Sequence, residues 1–257
     1  MPEQARTEQT GRLDRGDGVE LAWALLSGRA PTVVFLPGFN SDMAGIKATA
    51  LRDHCAASGQ AMLRLDYSGH GVSGGAFTYG SIGRWTADAR TVIDAVTKGP
   101  LLLVGSSMGG WIMLHIALAR PDRVFGCVGI AAAPDFTETM MWDSMMPAER
   151  TKLADVGHID VPSDYGEPYR ITRLLIEEGR KQLLLGAPVA LDIPIRLLQG
   201  QRDDDVPWET ALKLAERLTG PDVQVTLIKD GEHRLSRPRD LALLGRTVGA
   251  LLGEDGA

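Results

Sequence analysis

Apolar residues along this chain gather into short runs separated by longer stretches with helical spacing. Thr32-Val33-Val34-Phe35-Leu36, Ala61-Met62-Leu63-Arg64-Leu65-Asp66 and residues 101–104 each read as a short strand. So do Val124–Ile130, 195–198 and Val223–Ile228. Residues 19–26 partly alternate and predict an earlier strand. Helical patterns fill the intervals: to about Ser58 with Ser41 and Asp42 as candidate caps, then 84–96, 208–218 and 239–252. Strands alternating with helices argue a mostly parallel sheet covered on both faces, an α/β fold. Residues 135–190 interrupt the alternation, with Met140, Met141, Met145 and Met146 followed by an apolar stripe at Ile171, Leu174 and Leu175 that predicts a helix. We read 1–134 and 191–257 as the core and 135–190 as an inserted cap. Most of the cap's apolar residues pack it down. Its four methionines are candidate pocket residues, because flexible thioethers suit an adaptable apolar site.

One stretch stands apart. Leu101-Leu102-Leu103-Val104 runs into Gly105-Ser106-Ser107-Met108-Gly109, and then Trp111, Leu114, His115 and Leu118 recur at helical spacing. Strand, Gly-x-Ser-x-Gly, helix is the context of a nucleophile elbow. The turn must be tight enough to lift the Ser107 hydroxyl clear of the sheet, so the flanking residues are glycines. The helix start adds about half a positive charge near an oxyanion formed above Ser107. The motif also occurs at Gly71-Val72-Ser73-Gly74-Gly75, but the residues after Ser73 read as loop rather than helix. Residues 101–119 carry no Asp, Glu, Lys or Arg. The glycines and serines at their centre, and Pro100 before them, argue against a membrane span.

A serine of this kind needs a base, and the base needs an orienting carboxylate, both from later in the chain. Of five histidines, His54 and His70 precede Ser107, His115 lies down the elbow helix and His158 falls in the cap. His233 follows the last strand in a loop, where a catalytic imidazole belongs. Asp203, Asp204 and Asp205 sit on the loop after residues 195–198, with Asp135 after an earlier strand as a competitor. Asp205 is placed to cap the helix at Pro207-Trp208. For the oxyanion the backbone N–H of Met108 follows the serine, and Phe39, in Pro37-Gly38-Phe39-Asn40, supplies the second.

Composition narrows the function classes. Net charge is −6 with no basic cluster, which argues against nucleic-acid binding. Two cysteines, Cys55 and Cys127, fall in a predicted helix and strand and read as buried thiols. The first eighteen residues mix acids with arginines and lack a signal-peptide core, so a cytoplasmic address is expected. The chemistry needs no metal or cofactor.

Leu36-Pro37-Gly38-Phe39, Asp66-Tyr67-Ser68-Gly69, the elbow through Trp111, Leu197-Leu198-Gln199-Gly200, Asp203 to Trp208 and His233-Arg234 together resemble the α/β-hydrolase superfamily over nearly the whole chain. Within it the likeness is to the palmitoyl-protein thioesterase and acyl-glucuronide esterase family. The resemblance implies an α/β-hydrolase fold and a triad of Ser107, Asp203 and His233, with Gln199 where relatives often carry histidine. The expected activity is hydrolysis of carboxylic esters or acyl thioesters through an acyl-enzyme on Ser107. The alternatives are a non-enzymatic ligand binder on the same fold, or a hydrolase of another bond, such as a peptide, using the same triad. The expected partner is a small-molecule or lipid-acyl substrate, without stable membrane insertion; the oligomeric state stays open.

Overall fold

Leu101 and Leu103 point to one side of their strand and Leu102 and Val104 to the other, and each pair is buried in a different core cluster. That alternation on a strand buried along its whole length is the signature of a sheet covered on both faces. The computed structural model describes residues 8–163 and 166–254. Residues 1–7 of the acid-and-arginine N-terminal stretch lie outside them.

Among the described residues the main sheet has eight strands: β1 (Glu8–Asp14), β2 (Glu20–Leu26), β3 (Arg29–Leu36), β4 (Gln60–Leu65), β5 (Leu101–Ser106), β6 (Val124–Ile130), β9 (Ile195–Gly200) and β10 (Val223–Ile228). A separate two-stranded sheet pairs β7 (His158–Ser163) with β8 (Gly166–Thr172). The α-helices are α1 (Ile46–Ser58), α2 (Ile82–Val96), α3 (Met108–Ala119), α4 (Pro147–Val156), α5 (Arg173–Gly179), α6 (Glu209–Arg217) and α7 (Pro238–Leu251). The strand order is β1-β2-β4-β3-β5-β6-β9-β10, and β2 alone runs against the rest. This is the α/β-hydrolase fold that the resemblance implies.

Ala48, Leu51 and Cys55 of α1 pack with Leu244 and Val248 of α7 on one face. The buried sides of α2, α3 and α6 lie in the cluster on the other. Helix α3 is apolar nearly all round because the sheet and α2 leave it little solvent. Both cysteines are free and buried, and burial pushes the Cys55 thiol up to about 12.

Two expectations change. Helix α1 starts at Ile46 behind Gly45, with no side-chain cap from Ser41 or Asp42. The loop before it is tied elsewhere: Asp66 accepts from the Met43 N–H at 2.7 Å, and Asp42 folds back onto the Ala44 N–H at 2.8 Å. Between β6 and β9 the chain forms a π-helix (Thr137–Trp142), α4, the β7–β8 hairpin, α5 and a short 3₁₀ turn (Arg180–Gln182). Ile171 is therefore a strand residue, opposite Ile159, while Leu174 and Leu175 belong to α5. Thr172 ends the strand and caps the helix by accepting from the Leu175 N–H at 3.1 Å. Leu153, Ile159, Ile171, Leu175 and Ile176 share the main cluster, so the described residues between β6 and β9 pack onto the core of the sheet.

Candidate active site

Five loops leave the carboxyl ends of β3, β5, β6, β9 and β10 and meet over one edge of the sheet, the usual place for a site in such folds. They enclose a cavity of about 570 Å³ lined by Ser107, His233, Phe39, Phe136, Met140 and Met141, among others.

Ser107 stands between β5 and α3 with φ 53° and ψ −119°. A non-glycine residue held there stores about 1–3 kcal/mol of backbone strain. The surroundings hold it: its N–H donates to the Ile130 carbonyl at 2.9 Å, and its carbonyl accepts from Gly110 at 2.8 Å and Ala133 at 3.1 Å. A Cβ on Gly105 would collide with the Gly109 carbonyl, and one on Gly109 with the Leu36 carbonyl, so only glycines let β3, β5 and α3 close this tightly. Met108 opens α3, where an N–H has no partner within the helix. The second matching serine has a different use. The Ser73 hydroxyl donates to the Asp66 carbonyl at 2.7 Å and accepts from the Ala22 N–H at 2.8 Å, pinning a loop to β2.

Asp203 and His233 come together although 30 residues separate them. His233 Nδ1 lies 3.0 and 2.9 Å from the two oxygens of Asp203. Gly200 and Gly231 make this possible, since a Cβ on either would strike the other loop's backbone. Gln201 and Arg202 then donate backbone N–H groups to Ile228 at 2.9 Å and Gly231 at 2.8 Å, stitching the two loops. The Asp203 side chain is fully buried, with Oδ1 accepting from the N–H groups of Asp205 at 3.0 Å and Val206 at 2.8 Å. Asp203, Asp205 and His233 offer ligand atoms within 4.8 Å of one another. The N–H donors already on Asp203 make that set a poor cation cage and a good imidazole orienter.

The competing carboxylate works elsewhere. Asp135 accepts from the N–H groups of Leu184 at 2.8 Å and Leu185 at 2.9 Å, fastening residues 184–185 to the end of β6. Helix α6 opens on Trp208 as N-cap, with no cap bond from that side chain; Asp205 is not its N-cap. His115 sits 3.0 Å from the Gln182 carbonyl, and His54 3.4 Å from Glu254. His70 is buried among Tyr67, Phe77 and Trp85, and burial pulls it down to about 4.

Of the four methionines, Met140 and Met141 line the cavity from the π-helix. Met145 is buried in the core cluster, and Met146 is exposed as the N-cap of α4. The turn that ends the π-helix carries these two away from the site. The sequence reading missed three neighbours of the site. Tyr169 of β8 lines the cavity and meets the Phe39 ring edge-on at 5.6 Å. Phe136 closes on the same ring at 5.9 Å. Lys47 reaches the Arg234 carbonyl beside His233, and burial draws its ammonium down to about 8. Phe136 follows Asp135 directly, but nothing in the local pattern of Tyr169 signals that its hairpin folds back over Phe39.

Fold and site define an α/β hydrolase, and comparison with known proteins agrees. The family described as serine aminopeptidase, S33 matches residues 29–158, and the chain belongs to this hydrolase family. Human palmitoyl-protein thioesterase ABHD10, mitochondrial, is 40% identical over 243 residues, covering 93% of this chain and 79% of that protein. Mouse alpha/beta hydrolase domain-containing protein 10 superposes with a TM-score of 0.89 at 38% identity, over 96% of this chain and 99% of the other. A crystal structure of a protein from Agrobacterium vitis S4 gives a TM-score of 0.90 at 39% identity, with coverage of 96% and 99%. The chain is thus an enzyme rather than a ligand binder. Among the described residues no helix is long and apolar enough to cross a membrane.

Proposed function

We propose that the protein hydrolyses carboxylic esters or acyl thioesters through an acyl-enzyme on Ser107. His233 takes the hydroxyl proton as Ser107 attacks the acyl carbonyl, then returns it to the leaving oxygen or sulfur. Asp203 fixes the imidazole tautomer and stabilises the imidazolium. The N–H groups of Phe39 and Met108 receive the oxyanion, with the start of α3 behind them. Water then attacks the acyl-enzyme by the reverse proton path. The observation that carries this reading is the His233–Asp203 pair on the same cavity as a serine held at positive φ.

The name of the ABHD10 relatives supports an acyl thioester as one substrate class. We read 135–190 as a cap over the acyl side, because Met140, Met141 and Tyr169 line the cavity with Phe39 and Phe136. A cytoplasmic address belongs to this reading; the relatives are named mitochondrial, and fractionation of the tagged chain in its own cell decides.

The test is covalent labelling by a fluorophosphonate, followed by kcat/KM over esters, acyl thioesters, acyl glucuronides and aminoacyl arylamides. Wild type and Ser73→Ala are expected to label and Ser107→Ala not to. Labelling retained in Ser107→Ala overturns the nucleophile. Arylamides turning over faster than every ester and thioester would move the enzyme to the peptidase class.

A further inference from the structure

Gln199 is fully buried near the end of β9, and its two amide atoms are treated very differently. Its Nε2 lies 2.9 Å from Asp203 Oδ2, 3.2 Å from the Val206 carbonyl and 3.4 Å from the Gly200 carbonyl. Three acceptors around one NH₂ group fix the amide, since turning it over would set oxygen against a carboxylate. Its Oε1 is buried with no hydrogen-bond partner among the described residues. A buried polar atom left unpaired costs stability, and each one calls for a reason. An unbranched apolar side chain would fill the same space without the orphan, so it is the NH₂ group, with its buried acceptors, that accounts for a glutamine here.

The reason lies at the other end of the amide. Asp203 Oδ1 is held by its own loop, through the N–H groups of Asp205 and Val206. Oδ2 meets His233 Nδ1 on one side and Gln199 Nε2 on the other, each at 2.9 Å. The Gln199 donor comes from a strand, between β6 and β10, whereas the acid rides on a loop. Resting on the triad reading above, we propose that Gln199 is a positioning residue for the catalytic acid. It donates to Asp203 Oδ2 from the rigid sheet and keeps the carboxylate turned to His233.

The chemistry of the pair gives a signature that packing alone would not. Glutamate is nearly isosteric with glutamine, but it sets a second carboxylate against Asp203. Two such groups cannot easily both ionise, so they share a proton at low pH. When that proton leaves, the added negative charge sits behind Asp203 and raises the proton affinity of His233. The other charged groups facing the acid, Asp205 and Lys47, are the same in every variant.

The experiment is kcat and KM across pH on the best substrate of the panel for wild type, Gln199→Met, Gln199→Glu and Asp203→Asn, with the melting temperature of each. Gln199→Met should lose about 10- to 100-fold in kcat, the worth of one hydrogen bond to a charged group. Its KM should hold, while its melting temperature should fall, because Asp203 Oδ2 and the Val206 carbonyl lose this donor. Gln199→Glu should move the acid limb of kcat/KM upward by about one pH unit. A Gln199→Met enzyme with wild-type kcat overturns the proposal. So does a Gln199→Glu enzyme whose acid limb stays in place, and that arm decides alone should the methionine variant fail to fold. Asp203→Asn with wild-type activity would sink the triad reading itself. Asp203→Asn inactive beside a fully active Gln199→Met sinks only the role of Gln199.

Discussion

The hydroxyl of Tyr67 donates to the carbonyl of Pro37 at 3.2 Å, bracing the turn after β3 from the loop after β4. Tyr67 is fully buried, and burial pushes its phenol well above its ordinary range, so it stays a donor throughout the working pH. The braced turn carries Gly38 and Phe39, and Phe39 is the proposed second oxyanion donor. Tyr67→Phe keeps the ring and removes the brace. It should cost about 1 kcal/mol of stability and up to about tenfold in kcat, with KM little changed. Urea denaturation and steady-state kinetics on one preparation check both. Equal losses in kcat and KM would show that the brace shapes the pocket rather than the oxyanion turn.

The elbow was legible in the sequence because three signals coincide within twenty residues: a buried strand, paired glycines and an apolar helix. β6 and β10 were equally plain, as Val124–Ile130 and Val223–Ile228 have the bounds expected of them. The β7–β8 hairpin was not. Ile171, Leu174 and Leu175 have helical spacing by accident, because a strand ends and a helix begins at Thr172. Ser73 shares the elbow's letters but not its neighbours, and local pattern separated the two before any geometry was known. The role of Gln199 was out of reach, because its partner lies across a loop whose path follows from tertiary contacts between Gly200 and Gly231.

Two aspartates that both follow strands should fail differently. Asp203→Asn should stay folded and lose about 10⁴ in kcat, as in a serine protease whose imidazole is left in the wrong tautomer. Asp135→Asn should keep the chemistry and weaken the anchoring of residues 184–185, because one amide oxygen cannot serve both the Leu184 and Leu185 N–H groups as a carboxylate does. Its expected cost is about 1.5–3 kcal/mol of stability. Kinetics beside hydrogen exchange at 184–185 separates the two. Inactive and fully protected Asp135→Asn would make Asp135 the acid.

Acid should destabilise the fold through His70. Burial lowers its folded value to about 4 from an ordinary 6.5. Between these values the unfolded chain binds a proton that the folded chain refuses. Stability therefore rises with pH across that window, is fully present above 6.5 and is lost as pH falls to 4. The gap corresponds to about 3 kcal/mol. His115, also lowered by burial, adds the same sign, while Asp66, raised by burial, acts oppositely in the carboxylate range. Comparing wild type with His70→Phe cancels both. The variant's unfolding free energy should be flatter from pH 6.5 to 4, and identical slopes would remove His70 as the cause.

The last prediction divides the four methionines by where the π-helix puts them. Met140 and Met141 line the cavity together with Phe39 and Tyr169, Met145 is buried in the core, and Met146 is exposed. An apolar pocket contributes about 0.8 kcal/mol for each CH₂ it buries, or roughly fourfold in kcat/KM if the contact is made in the transition state. Met140→Ala and Met141→Ala should therefore change the slope of kcat/KM against acyl length, with folding nearly intact. Met145→Ala should leave the slope alone and cost about 2–5 kcal/mol of stability, as a truncated core side chain does. Met146→Ala should do neither, since its side chain stands in water. A series of acyl esters from acetyl to decanoyl, run beside thermal melts of all four variants, tests the division. If Met146→Ala alters chain-length preference as much as Met141→Ala, the insertion closes over the substrate in a different arrangement. If none of the four alters it, the acyl chain leaves the site by another wall, and Phe136 becomes the residue to shorten next.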